Sequence, residues 1–123
     1  MPLIVHHVQV DDLDEDTAWA ISGIHRSTDR PAVAARLFAE GRYAPVARMD
    51  RDDPTIIACE VAYALTQNID AAWSRSPPAG LTVIEPSSEH GWRSTMIGDV
   101  IEVGGKRFVV MTMGFAELPE QTT

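Results

Sequence analysis

The stretch Asp99-Val100-Ile101-Glu102-Val103-Gly104-Gly105-Lys106-Arg107-Phe108-Val109-Val110-Met111-Thr112-Met113 spells a β-hairpin. Two β-branched runs flank a glycine pair, and glycine tolerates the positive φ that a tight primed turn requires. Phe108, Val110 and Thr112 alternate with Val109, Met111 and Met113, so both faces are apolar. A strand covered on both faces belongs inside a sheet. The hairpin is therefore expected to span 99–103 and 106–113 and to anchor the fold.

Working back along the chain, Leu81-Thr82-Val83-Ile84 is a candidate short strand, and Pro77-Pro78 makes Ser74 to Gly80 a loop. Pro86 to Gly91 is a polar turn. Asp53-Pro54 announces a helix with Asp53 as cap; Ile57, Val61, Ala64 and Leu65 are its expected apolar stripe, with Glu60 and Gln67 off it. Tyr43 to Met49 is a short strand whose Pro45 points to an edge or a strand start. Ahead of it a helix follows Asp29, with Pro31 in its first turn, Val33, Ala34, Leu37 and Phe38 inward, and Gly41 at its end. Asp12 and Glu15 have capping-box spacing for an earlier helix, on which Leu13, Thr17, Ala20, Ile21 and Ile24 share a face. Leu3 to Val10 is β-branched and strand-like. The tail after Leu118 is expected to fray. The sum is one α+β domain over residues 1–123: a small antiparallel or mixed sheet with a C-terminal hairpin, packed by about three helices.

The chain has 123 residues, 45% of them hydrophobic, which suits a globular domain. Eighteen acidic against ten basic side chains give a net charge of −8. Such a surface repels nucleic acid and anionic membranes, and favours encounter with a basic protein. One cysteine, Cys59, excludes an internal disulfide and suits a buried position in a helix. The amino terminus has no secretory pattern and no apolar run is long enough for a membrane span, so a cytoplasmic protein is expected.

Catalytic signatures are absent. His6 and His7 are adjacent, so in a strand they point to opposite faces and cannot share a metal ion. His25 and His90 have no ligand spacing around them. Ser87, Ser88, Glu89 and His90 hold the ingredients of a nucleophile and base, but in a turn beside Pro86 rather than in a GxSxG elbow. No catalytic residue, metal or cofactor is assigned. Carboxylates instead gather in two places: Asp11, Asp12, Asp14, Glu15 and Asp16, and then Asp50, Asp52 and Asp53. If both helix starts lie at one edge, those eight carboxylates form a phosphate-like rim for partner arginines. Alternatively each cluster simply serves the positive end of its own helix.

Tyr43 with Val46-Ala47, Ala62-Tyr63-Ala64-Leu65-Thr66-Gln67-Asn68-Ile69-Asp70 with Trp73, Arg93-Ser94-Thr95, Gly98-Asp99-Val100-Ile101 and Met113-Gly114-Phe115 occur in that order. Together they resemble the YodL-like domain of plasmid, integrative-element and phage accessory proteins. The resemblance covers about residues 43 to 118; residues 1–42, a strand and two helices, fall outside it. Gln67 and Thr95-Met96 depart from the family's pattern. What the resemblance implies is a setting rather than a reaction: mobile-element accessory biology, with host-defence suppression as a common task.

The expectation from charge and resemblance together is a non-enzymatic inhibitor of a host defence complex, an anti-CRISPR candidate. It would bind a basic surface of a nucleic-acid-handling complex through the eight carboxylates, with no direct nucleic-acid or membrane partner. The alternatives are a non-inhibitory plasmid or phage interaction module, acting through its sheet and the Trp92–Thr95 turn, and a small enzyme using histidine and carboxylate.

Overall fold

The computed structural model describes residues 1–23, 29–69, 72–84 and 91–119. Expectations for Ile24, His25, Asp70, the turn carrying Ser87, Ser88, Glu89 and His90, and the last four residues lie outside them. The described elements run β1 (Pro2–Val8), α1 (Glu15–Ser22), α2 (Arg30–Ala39), β2 (Tyr43–Asp50), α3 (Thr55–Leu65), β3 (Thr82–Val83), β4 (Val100–Val103), β5 (Lys106–Val110) and β6 (Phe115–Glu117). The strands form one six-stranded sheet in the order β3-β2-β1-β4-β5-β6, every pairing antiparallel. With three helices around it, the fold is α+β as expected. β1 lies at the middle of the sheet, so residues 1–42 and the remainder share one architecture rather than two.

The hairpin forms as its turn chemistry dictates, Val103 facing Lys106 across Gly104-Gly105. Its second strand is shorter than expected. It stops at Val110, and Met111 to Gly114 turn the chain back into β6, the Met111 N–H donating to the Gly114 carbonyl at 2.9 Å. Gly114 takes φ +75°, which a β-branched residue would resist. Because β6 covers its far side, β5 is internal, as its two apolar faces required.

Helices cover both faces of the sheet. On one, Ala58, Cys59 and Ala62 of α3 pack on Leu3, Val5, Ile101, Val103, Phe108 and Val110. On the other, Ile21 of α1 with Ala34 and Leu37 of α2 pack on Val8, Val100 and Val109. Strand alternation therefore sorts neighbouring residues into separate cores.

Three local expectations are corrected. The cap of α1 is Asp14, not Asp12: its carboxylate accepts from the Thr17 N–H at 2.7 Å and the Thr17 hydroxyl at 3.0 Å. Asp53 does not cap α3, because it is held by Arg51 and Pro54 takes the capping position. The α3 stripe is rotated: Ala58, Cys59 and Ala62 are buried, whereas Ile57 and Ala64 are exposed. Small side chains let the helix axis approach the strands closely, and the bulky isoleucines face outward.

Candidate functional site

The register of β1 with β2 decides the fate of the acidic rim. Pro2 faces Asp50 and Val8 faces Tyr43. Asp50, Asp52 and Asp53 thus lie at the amino-terminal end of β1, while Asp11 to Asp16 follow its carboxyl-terminal end. Seven residues of strand at ~3.3 Å each put roughly 20 Å between the two groups. The structure does not bring the eight carboxylates to one edge.

The two groups also differ in what they face. Asp50 and Asp52 flank the Met1 ammonium at 3.9 and 3.7 Å, and Asp53 pairs with Arg51. That cluster is partly neutralised from within the chain. At the other end Asp11, Asp12, Glu15 and Asp16 are exposed, and Asp14 is engaged as a cap whose bonds to Thr17 hold its carboxyl below the usual range. On the same helix Trp19 is 58% exposed, three and four residues beyond Asp16 and Glu15. Side chains at those spacings share a helix face. Glu15, Asp16, Ala18, Trp19, Ser22 and Gly23 line an open groove there. The start of α1 thus sets exposed carboxylates beside a large exposed aromatic.

The turn carrying Arg93-Ser94-Thr95 has a different character, because its polar groups are turned inward. Asp99 is wholly buried and its carboxylate is fully used. Oδ1 accepts from the Val8 N–H at 2.8 Å and Arg93 Nη2 at 2.8 Å; Oδ2 accepts from Arg93 Nη1 at 2.6 Å and the Met96 N–H at 2.7 Å. Arg93 donates further to the Val8 carbonyl at 3.1 Å. One ion pair thereby ties the end of β1 to the start of β4. Gly98, at φ +95°, completes the turn, and a Cβ there would collide with the Ile21 carbonyl. Tyr43 donates to the Gly98 carbonyl at 2.7 Å, and burial pushes its phenol well up, so it remains protonated.

Beside this ion pair a chain of hydroxyls fixes the tautomer of His7. Thr66 donates to the Ala62 carbonyl at 2.8 Å, so its oxygen accepts from Thr95 at 2.7 Å. With the Thr95 proton committed, its oxygen accepts from His7 Nε2–H at 3.0 Å. Nδ1 is then a bare acceptor, buried and without a hydrogen-bond partner among the described residues. Burial among these groups and the rings of Trp73 and Trp92 lowers the His7 pKa to about 4, against a smaller opposing pull from Asp99. His6, on the opposite face, bonds Glu102 at 2.9 Å and meets the Phe38 ring edge-on. The two histidines diverge as strand geometry requires.

Residues of the 66–73 and 92–99 stretches converge on this one knot. Asn68 accepts from the Trp73 N–H at 2.9 Å, Trp73 Nε1 donates to the Arg93 carbonyl at 2.9 Å, and Gln67 donates to the Thr95 carbonyl at 2.8 Å. Trp92 Nε1 donates to the Ile84 carbonyl at 3.0 Å. The knot joins β1, the end of α3 and the 92–99 segment. Its groups bond to one another, which is the arrangement of a structural lock rather than of an open reaction centre. A buried Arg30, unforeseen from sequence, plays a similar part on the other face: it donates to the Ile21 and Gly23 carbonyls at 2.9 and 2.5 Å, serving the carboxyl end of α1. The available hint was its charge at the start of α2, where the helix dipole disfavours a cation.

Reactivity elsewhere is subdued. Cys59 is buried at the sheet face of α3, as expected, and burial together with Glu60 pushes its thiol up to about 11. Among the described residues no three His, Cys, Asp or Glu side chains converge on a metal position, and no helix is long and apolar enough to cross a membrane. Compared with family models, curated proteins and solved structures, the chain matches none.

Proposed function

We propose that this protein is a non-catalytic accessory protein of a mobile element, acting in the cytoplasm. It disables a host defence complex, CRISPR interference being the target to test first, by docking on a basic surface that normally handles nucleic acid. The observation that carries the reading is the α1 end: Asp11, Asp12, Glu15 and Asp16 stand exposed beside an exposed Trp19. Carboxylates pair with partner arginines, while the indole supplies apolar contact and a face for a guanidinium. Asp50, Asp52 and Asp53 contribute less, being separated from α1 and partly neutralised by Met1 and Arg51.

Net charge alone would speed encounter with any basic partner; the aromatic beside the acids adds the discrimination that charge lacks. The rival reading, an interaction module using its sheet and the Trp92–Thr95 turn, has less support at that turn, because Trp92, Arg93 and Thr95 also make internal bonds. The test is expression in cells with a functioning CRISPR system, scoring survival of a targeted plasmid. Wild-type protein should rescue the plasmid, and Asp12→Lys with Asp16→Lys should abolish rescue. Absence of rescue by wild-type protein across the main CRISPR types would defeat the proposal.

A further inference from the structure

Lys106-Arg107 is the only place in the sequence where two cations adjoin. Both residues are exposed at the start of β5, and both line a groove of about 430 Å³ between the end of α2 and the chain leaving β6. Phe38, Leu118 and Pro119 are among its apolar walls, and Glu117 is the one carboxylate of its lining. Small-ligand sites typically enclose about 300–1,000 Å³, so the groove has room for a small molecule. The Arg107 guanidinium lies 4.1 Å from the centre of the Phe38 ring. That ring is itself flanked by His6, edge-on at 4.9 Å, and by Tyr43 at 5.4 Å. Stacking covers one flat face of a guanidinium and leaves its in-plane N–H donors open. Among the described residues no carboxylate comes within ion-pair distance of Arg107. Glu102 faces it across the β4–β5 pair but is bonded to His6 at 2.9 Å. By contrast Arg51 and Arg93 each have an aspartate, and Arg36 has Glu40. A positioned fork of donors is left over in a chain with eighteen acids and ten bases.

We propose that this groove binds a small organic acid, one carboxylate joined to an apolar body. The guanidinium takes the carboxylate through two parallel N–H···O bonds, while the body lies against Phe38, Leu118 and Pro119. Charge selects this class. Two cations and one carboxylate line the groove, leaving one net positive charge, the complement of a single anion. A phosphate ester with two or more negative charges would meet Glu117 and the field of a chain of net charge −8. A neutral apolar molecule would leave the Arg107 donors unused. None of the lining residues belongs to α1, so failure here and failure of the docking reading are separate results.

Titration of the intact, isotope-labelled chain with phenylpropionate, followed through its amide NMR signals, tests this. Saturable shifts should centre on Phe38, Arg107 and Leu118, with a dissociation constant of about 1–5 mM for a ligand of that size. Phenylpropionamide, the same body without the charge, should bind about tenfold more weakly or worse, and so should inorganic phosphate. Arg107→Gln, at an exposed position, should bring phenylpropionate down to the level of the amide with circular dichroism unchanged. Arg107→Lys keeps the charge without the fork and should fall between the two. Glu117→Gln should tighten binding about two- to threefold by removing a like charge from the groove. Equal binding of acid and amide overturns the proposal, because the groove is then merely apolar. Phosphate binding as tightly as phenylpropionate overturns it too, by reducing the site to a general anion contact. So does full affinity in Arg107→Gln, or an absence of saturable shifts at about 20 mM.

Discussion

Asp99 and the carboxylates at the start of α1 are the same functional group in opposite situations. Asp99 is wholly buried and takes four hydrogen bonds, two of them from Arg93. Asp11, Asp12 and Asp16 stand in water with their acceptor capacity open to a partner. In the first place the protein has used the charge to hold itself together; in the second the charge remains for use outside. A count of acids cannot separate these roles, because the distinction lies in the donors that the fold brings up.

Removing the buried charge should be the most damaging change. Asp99→Ala leaves Arg93 without its partner and strips the acceptors from the Val8 and Met96 N–H groups. Breaking a buried, hydrogen-bonded ion pair costs about 3–5 kcal/mol, a large share of the ~5–15 kcal/mol that holds a typical domain. Urea denaturation should show a midpoint collapse or a chain that no longer folds. A loss under 1 kcal/mol would place Asp99 with the surface acids and erase the contrast.

The next effect is acid sensitivity in the same knot. Folded His7 takes its proton near pH 4, against an ordinary value of 6.5 in the unfolded chain. Between those values the unfolded chain binds more protons, so stability is fully present above about pH 6.5 and drains away as pH falls toward 4. The loss amounts to roughly 3 kcal/mol. His6, also lowered by burial, adds in the same direction. Denaturant titrations across that window should show the slope, and His7→Gln should flatten it. A variant whose profile keeps the wild-type shape would assign the acid sensitivity to other groups.

Smaller again is the cap. Asp14→Ala removes the acceptor for the first-turn Thr17 N–H of α1 and should cost about 1 kcal/mol, read as a modest fall in thermal midpoint. Asp12→Ala, at the cap position expected from sequence, should leave that midpoint unaltered.

That pair of aspartates shows how far the sequence could be read. The helix was legible from its apolar spacing and acidic start, but with aspartate at 11, 12, 14 and 16 every candidate cap had a rival within two residues. The hairpin was sharper, since Gly104-Gly105 admits few alternatives. On α3 the signal failed for want of contrast. In Thr-Ile-Ile-Ala-Cys-Glu-Val-Ala-Tyr-Ala-Leu almost every residue is apolar, so periodicity cannot choose a face; closeness to the sheet chose the small side chains instead. Gly114, placed within an apolar run, was the mark of a turn into β6. The lock was beyond reach for a different reason: His7, Thr66 and Thr95 lie far apart in the chain, and only tertiary pairing makes a hydroxyl relay of them. The acidic rim failed on the same ground, because strand register, not sequence proximity, set the two clusters at opposite ends of β1.

The smallest expected effect on the fold is therefore the most informative about function. Asp11→Lys with Asp12→Lys reverses two exposed charges that make no bond the fold relies on, so stability should change by no more than about 0.5 kcal/mol. Binding to a basic partner should fall sharply, and its salt dependence should flatten, because fewer charges remain to be screened. If instead the double reversal unfolds the chain, these aspartates belong with Asp99 as structural groups. If it spares both fold and plasmid rescue, docking runs through some surface other than the start of α1. Normal stability with lost rescue is the one outcome that keeps the two classes of carboxylate distinct, one holding the sheet and the other meeting the partner.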